Sequence, residues 1–141
     1  MITWNNLDKL TSYQELEKTE SVDLAAVMAG ENGAERVKNY SVPMAEGLAY
    51  NYAAKKVDDT VLAALEKLAE EAQLTEKFEA LYNGEVVNTG EKRLVLHHMT
   101  RGQLGDAVVA DGVDKRTFYV EQQKKIAEFA NKVHAGEITN G

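Results

Sequence analysis

The sequence lacks the residues that several kinds of functional site require. It contains no cysteine, which excludes disulfide frameworks, thiolate zinc sites and cysteine nucleophiles. No apolar run approaches the roughly 18 residues of a membrane-spanning helix. The first ten residues, MITWNNLDKL, have neither the basic nor the apolar region of a signal peptide. These absences predict a cytoplasmic chain without a membrane segment.

The sequence also lacks an excess of positive charge. Lys and Arg number 16 against 23 Asp and Glu, which gives a formal net charge of −7. Nucleic acids and anionic membranes are bound through basic surfaces, so we expect neither as a partner. The 141 residues, 44% of them hydrophobic and 28% charged, suit one folded domain or part of a larger one.

The spacing of apolar residues predicts a mainly α (α+β) fold. Short helices are expected through Leu7–Leu16 and through Leu24–Met28, with Gly30 and Gly33 breaking the second. Further helices are expected from Asp58 or Asp59, and from a cap at Thr75 to Asn83-Gly84.

A long final helix carries Phe118, Ile126, Phe129 and Val133 and should end at Gly136. The segment before it, residues 102–114, has three glycines and is predicted as a loop.

One β-hairpin is predicted near residues 40–52. Its strands are Tyr40–Met44 and Leu48–Tyr52, and Gly47 supplies the turn. The only proline, Pro43, cannot donate a ladder hydrogen bond, so its strand should be an edge.

Residues 81–102, LYNGEVVNTGEKRLVLHHMTRG, hold most of the candidate chemistry. Adjacent residues point about 100° apart on a helix and to opposite faces of a strand, so His97 and His98 form a poor metal-binding pair. We expect one histidine to be packed or hydrogen-bonded and the other to be solvated. The apolar run Leu94–Leu96 predicts a buried element.

If residues 91–101 form a helix, Arg93, His97 and Arg101 share one face. Such a row can hold a phosphate or a carboxylate through charge-assisted hydrogen bonds, or it can pair with another segment. The spacing favours the second, structural role. No phosphate-binding loop, dinucleotide fingerprint or nucleophile elbow occurs, so the residues predict no catalytic group and no cofactor.

The same segment resembles a motif of the glucose-6-phosphate isomerases, N-G-E-x-(I/V)-N-x-T-E-x-R-A-V-L-H followed by arginine. The matching positions are Asn83-Gly84-Glu85, Asn88-Thr89, Glu91, Arg93, Val95-Leu96-His97 and Arg101. Gly90 and Leu94 depart from the family's usual threonine and alanine. The resemblance extends over roughly residues 36–136, through Tyr50-Asn51-Tyr52-Ala53 and Val133-His134-Ala135-Gly136.

The resemblance implies a metal-free and nucleotide-free homodimeric enzyme that interconverts glucose 6-phosphate and fructose 6-phosphate in glycolysis and gluconeogenesis. Family members are α/β proteins with two doubly wound sugar-phosphate-binding units. The family's glycine-serine loop, glutamate base and ring-opening histidine and lysine have no matching position here. We therefore expect residues 1–141 to be a single helical N-terminal region without a complete catalytic domain, inactive alone and completed by the remainder of the isomerase polypeptide.

Two other hypotheses remain open from the sequence. A free-standing helical interaction module would cover its apolar stripes internally, whereas a fragment would expose one, with the Phe118–Val133 stripe the first candidate, and would self-associate. A small-anion-binding domain would use Arg93, His97 and Arg101.

Overall fold

The computed structural model describes residues 1–102 and 105–140, which fall into two compact units. The first runs from Thr3 to Leu74 and the second begins at Thr75. Six α-helices are present in the described ranges: α1 Thr11–Leu16, α2 Leu24–Val27, α3 Gly30–Asn39, α4 Asp59–Glu71, α5 Leu74–Tyr82 and α6 Lys115–His134. The strands are β1 Ser41–Ala45, β2 Leu48–Asn51, β3 Val86–Asn88, β4 Arg93–Leu94, β5 Val109–Ala110 and β6 Val113–Asp114.

The strands pair as three separate two-stranded antiparallel sheets, β1-β2, β3-β4 and β5-β6. Two 3-10 helices, Leu7–Lys9 and His97–Thr100, complete the described elements. The mainly α (α+β) prediction is confirmed. No helix within the described ranges combines the length and the apolarity that crossing a membrane requires.

The predicted hairpin near residues 40–52 is confirmed. In it Val42 lies opposite Tyr50 and Pro43 opposite Ala49. Gly47 in the turn has φ +71°, a conformation that residues with a Cβ adopt at a cost. Because the sheet has only these two strands, both are edges, and Pro43 removes no hydrogen bond from an inner strand.

The prediction that Gly33 breaks a helix is wrong. Gly30 begins α3 with φ +60°, and Gly33 lies inside the helix and is buried. A Cβ at position 33 would lie 2.3 Å from the Met28 carbonyl oxygen. Gly33 therefore permits a close approach of two backbones, and the break before α3 falls at Met28-Ala29 instead.

Helix α4 begins as its sequence predicts and carries a carboxylate that stabilises α1. The Asp58 side chain accepts a hydrogen bond from the Val61 amide, 2.8 Å away, which caps α4. Near the other end, Glu71 accepts from the Ser12 amide at 2.8 Å and the Thr11 amide at 3.2 Å. It also accepts from the Ser12 hydroxyl. Glu71 thus satisfies the free amides at the start of α1 in place of a cap within that helix.

A buried guanidinium fixes the connection between β2 and α4. Arg36 is 8% exposed, and its Nε donates to the Ala53 carbonyl at 2.8 Å. Its Nη2 donates to the carbonyls of Lys55 at 3.0 Å and Val57 at 2.6 Å. The guanidinium carbon also lies 4.1 Å from the centre of the Tyr40 ring. One side chain therefore satisfies three loop carbonyls that would otherwise need water.

The second unit packs around Met99, which has no exposed surface, together with Ala80 and Val108. Helix α5 begins at Leu74, so Thr75 lies within it and the predicted cap at Thr75 is wrong. The helix ends as expected before Gly84, whose φ is +75°. A Cβ at Gly84 would lie 2.3 Å from Val108 Cγ1, so this glycine also makes room for a buried side chain.

The prediction of an unbroken loop over residues 102–114 is also wrong, because β5 and β6 form a short hairpin there. Asp111 and Gly112 both have positive φ, +54° and +72°, as the tight turns favoured by hairpins require. Residues 103 and 104 of that predicted loop lie outside the described residues.

The long final helix is confirmed as α6. Asp114 caps it by accepting from the amides of Arg116 at 3.1 Å and Thr117 at 3.4 Å. At the other end Gly136 has φ +74° and its amide donates to the Val133 carbonyl, as a glycine just after a helix does.

The Arg36→Met variant tests the role of the buried guanidinium. We expect the free energy of unfolding to fall by about 2–4 kcal/mol, because three carbonyl acceptors lose their donor. Urea unfolding measures the loss. Lys38→Met, on the exposed face of the same helix, serves as the control and should stay within about 0.5 kcal/mol of the wild type. Equal stabilities of the two variants would refute the role of Arg36.

The Glu71 carboxylate should make stability depend on pH. The hydrogen bond from the Ser12 hydroxyl, followed by that from the Ser12 amide, lowers the pKa of Glu71 from its usual 4.5. When folding lowers the pKa of a carboxyl group, its ionised form stabilises the folded state. This stabilisation is present above the usual pKa and is lost as the pH falls through the pKa of the folded state. Thermal melting of Glu71→Gln should therefore show a lower Tm at pH 7 and a weaker fall below pH 4.5 than the wild type. Glu70→Gln, its exposed neighbour, should follow the wild-type curve, and a Glu71→Gln curve parallel to the wild type would contradict the assignment.

Two glycines with similar φ separate conformational strain from steric overlap. Gly112→Ala should cost about 1–2 kcal/mol, since only the left-handed backbone conformation is disfavoured and no atom lies within 4 Å of the new Cβ. Gly84→Ala adds overlap with Val108, for a total of about 2–5 kcal/mol. Chemical denaturation gives both values, and a Gly84→Ala cost no larger than that of Gly112→Ala would mean that Val108 moves aside freely.

Candidate functional site

The segment that carries the candidate chemistry is a hairpin followed by a 3-10 helix, not one α-helix. Val86 pairs with Leu94 and Asn88 with Arg93. The turn between them is stabilised by the Asn88 side chain, which accepts from the Glu91 amide at 3.1 Å, and Lys92 has φ +55°. Residues 91–101 are therefore not one helix, and Arg93, His97 and Arg101 do not share a helical face.

The structure separates Arg93 from the other two residues of that set. Arg93 is exposed and forms an ion pair with Glu91, with 3.6 Å between nitrogen and oxygen. His97 and Arg101 instead line one cleft of about 350 Å³, together with Tyr82, His98 and Gly102. We call these five residues the His97–Arg101 cleft. Its described walls contain no carboxylate.

The two histidines differ as the sequence predicts. His97 is exposed, whereas His98 is half-buried. His98 Nε2 lies 3.0 Å from the Tyr82 carbonyl oxygen, so Nε2 carries the proton in this contact. The rings of Tyr82 and His98 stack with their centres 4.9 Å apart. Nδ1 of His98 is buried without a hydrogen-bond partner in the described chain. The apolar run Leu94–Leu96 is half-buried, not fully enclosed.

The residue that sequence reasoning missed in this unit is Arg116. It is 6% exposed, and its Nη2 donates to the Tyr82 carbonyl at 3.1 Å, the same oxygen that His98 contacts. Its Nε donates to the Asp106 carbonyl. Its position was the available signal in the sequence. A positive charge in the first turn of a helix interacts unfavourably with the helix dipole, so an arginine there indicates contacts elsewhere in the structure.

Asp114 provides the negative charge at that end of α6. The hydrogen bond from the Thr117 hydroxyl is the largest of the effects that lower the pKa of Asp114, and the Arg116 and Thr117 amides act in the same direction. The carboxylate is thus kept ionised as a helix cap, which does not fit the task of a general base near neutral pH.

Within the described ranges, each unit exposes an apolar surface. Side chains of the hairpin and α4, including Val42, Tyr50, Leu62 and Leu65, line an open groove of about 490 Å³ in the first unit. In the second unit, α6 exposes Phe118, Ile126, Phe129 and Val133, with Ile126 68% and Phe129 59% accessible. We call this second surface the α6 stripe, and it is the face that the sequence marked as the first candidate to lack a partner.

The described arrangement offers groups that can bind a ligand or other protein. The described residues include no group of three or more His, Asp or Glu side chains placed to hold a metal ion. The His97–Arg101 cleft offers a guanidinium and an imidazole that can hold an anion, and the two apolar surfaces can contact other protein.

Comparisons with known proteins agree with the family resemblance of the motif. Residues 51–140 match the family described as phosphoglucose isomerase. The glucose-6-phosphate isomerase of Treponema denticola is 52% identical over 140 residues, which are 96% of this chain and 27% of that protein. The glucose-6-phosphate isomerase of Treponema pallidum is 40% identical over 97% of this chain and 26% of that protein.

A solved structure gives the same result. The crystal structure of a glucose-6-phosphate isomerase from Chlamydia trachomatis superposes with a TM-score of 0.69 at 29% identity, covering 89% of this chain and 25% of that one. The chain spans about a quarter of the length of the curated relatives that it matches. Because the family match covers most of this chain, residues 51–140, the chain belongs to the phosphoglucose isomerase family.

Proposed function

We propose that the chain is the N-terminal, non-catalytic portion of a glucose-6-phosphate isomerase. The whole enzyme would interconvert glucose 6-phosphate and fructose 6-phosphate, with a carboxylate moving a proton between C2 and C1. The observation that carries the proposal is the coverage: relatives of that name match this chain almost end to end and are about four times as long. The chain's own contribution is then to support the parts that bind and convert the sugar phosphate.

The exposed surface supports this role. The chain has 10,935 Å² of accessible surface for a mass of 15.6 kDa. A compact monomer of this mass exposes about 7,200 Å², and even two fully separate units of half that mass would expose only about 8,700 Å² together. The excess is what a piece of a larger fold should have.

The α6 stripe indicates which surface the rest of the enzyme covers. Phe118, Ile126, Phe129 and Val133 recur along one face of a 20-residue helix. A free-standing interaction module would cover such a stripe itself, so its exposure favours the fragment hypothesis. We propose that the remainder of the isomerase polypeptide packs against the α6 stripe. The homodimeric state and the cytoplasmic location of the whole enzyme rest on the family resemblance alone.

The proposal predicts that the purified 141-residue chain does not isomerise glucose 6-phosphate. A coupled assay with glucose-6-phosphate dehydrogenase, started from fructose 6-phosphate, should give no rate above the blank. Turnover that rises in proportion to the chain and persists through a second purification would contradict the assignment of a non-catalytic role.

A chimera tests the structural role directly. Replacing the matching quarter of the Treponema denticola enzyme by this chain should preserve isomerase activity. In the chimera, Phe129→Asp should lower the Tm and the activity together, because a charge would be buried in the interface. Lys124→Asp, on the opposite face of α6 from Phe129, is the control and should retain both. If Phe129→Asp were as stable as Lys124→Asp, the α6 stripe would not be covered by the rest of the enzyme.

A further inference from the structure

The His97–Arg101 cleft has two exposed hydrogen-bonding side chains, an imidazole and a guanidinium, that the described chain leaves without a partner. The side chains of His97 and Arg101 form no hydrogen bond or ion pair within the described ranges, whereas Arg93 is paired with Glu91. Free donors that converge on one cleft can serve a ligand without first breaking an internal contact.

The segment that carries these donors is held in place. Met99, between the two residues, is fully buried. The Thr100 carbonyl accepts from Gln123 Nε2 of α6 at 2.6 Å, and the Thr100 hydroxyl donates to the His97 carbonyl at 2.8 Å. The Arg101 amide donates to the His98 carbonyl at 3.0 Å. The turn is therefore ordered by its own contacts, which lowers the entropy that a ligand would have to remove.

The composition of the cleft selects an oxyanion. A guanidinium donates two parallel hydrogen bonds to a phosphate or carboxylate, and the imidazole of His97 supplies a further N–H donor. No carboxylate among the described lining residues opposes an anion.

The size of the cleft narrows the ligand further. About 350 Å³ lies at the low end of the range of small-molecule sites, roughly 300–1,000 Å³. This volume accommodates a phosphate group with a few attached atoms. The half-buried side chains of Tyr82 and His98 line the cleft beside these donors.

We propose that the His97–Arg101 cleft binds a phosphate group, either inorganic phosphate or a small phosphate monoester, through Arg101 and His97. Arg93 takes no part, which distinguishes this site from the row of three residues suggested by sequence spacing. The net charge of −7 disfavours non-specific association of anions with the rest of the surface, so binding at the cleft stands out from a low background.

NMR titration of the 141-residue chain tests the proposal. Inorganic phosphate and glycerol phosphate are added in separate titrations, in a buffer free of phosphate and at constant ionic strength set by sodium chloride. We expect saturable shifts centred on the amides of His97, Arg101 and Gly102. Tighter binding of glycerol phosphate identifies a monoester as the ligand, and equal or weaker binding identifies the free ion. Shifts that stay linear, or that spread over the lysines of α6, overturn the proposal.

Matched variants assign the donors. Arg101→Gln should weaken phosphate binding about tenfold or more, the loss of one charge-assisted contact. Arg93→Gln removes the same charge from a nearby exposed position and should change the affinity less than about twofold. Equal weakening by both variants would show general electrostatics and refute the site. If Arg101→Gln loses the dispersed spectrum of the folded chain, His97→Gln against Arg93→Gln provides the same comparison. None of these measurements depends on isomerase activity, so their failure would leave the proposed function unaffected.

Discussion

Two buried guanidinium groups hold the irregular parts of this protein. Arg36 donates to three carbonyls between β2 and α4, and Arg116 donates to the carbonyls of Tyr82 and Asp106. Each lies over a tyrosine ring, Tyr40 at 4.1 Å and Tyr82 at 5.6 Å. An arginine satisfies several carbonyls at once with a rigid set of donors. In each unit, the arginine therefore orders a loop that the few buried apolar side chains could not order by themselves.

This dependence on polar contacts follows from how little apolar surface the chain buries. The buried hydrophobic residues of the first unit in the described ranges are Leu10, Ala53 and Ala72, of which two are alanines. Larger apolar side chains remain exposed on the hairpin and along α6. Because burial of apolar area is the main stabilising term in folding, such a chain gains most by packing against more protein. The matched members of its family are about four times as long as this chain, and our proposal is that the rest of such an enzyme packs against it.

The sequence predicted the elements whose signals are local. The hairpin at residues 40–52, helix α4 after Asp58 and helix α6 with its terminal Gly136 all follow from periodicity, caps and turn residues within a short window. The resemblance of residues 83–101 identified the family correctly. The Asp111-Gly112 turn between β5 and β6 is also a local signal, although the three glycines of residues 102–114 favour a loop.

The features that sequence reasoning missed depend on contacts between distant residues. Position 33 requires glycine because a Cβ there would overlap the Met28 carbonyl oxygen, and the spacing of apolar residues does not reveal this contact. Arg36 and Arg116 donate to carbonyls 10 to 34 positions away. Every residue type has a main-chain carbonyl, so the sequence does not mark these acceptors. Likewise, Arg93 is separated from His97 and Arg101 because it pairs with Asn88 in a β-hairpin. Spacing alone grouped three residues, of which His97 and Arg101 line one cleft and Arg93 pairs with Glu91 instead.

Side-chain footprinting tests the central claim, that this chain is a supporting part whose exposed α6 stripe is covered in a larger isomerase. Carbene labelling of Phe118, Ile126, Phe129 and Val133 would be compared between the 141-residue chain and the same residues within an active full-length chimera. The account predicts strong labelling in the isolated chain and protection of all four residues in the chimera, while Lys124 on the other face is labelled equally in both. Equal labelling of the stripe in the two proteins would contradict it.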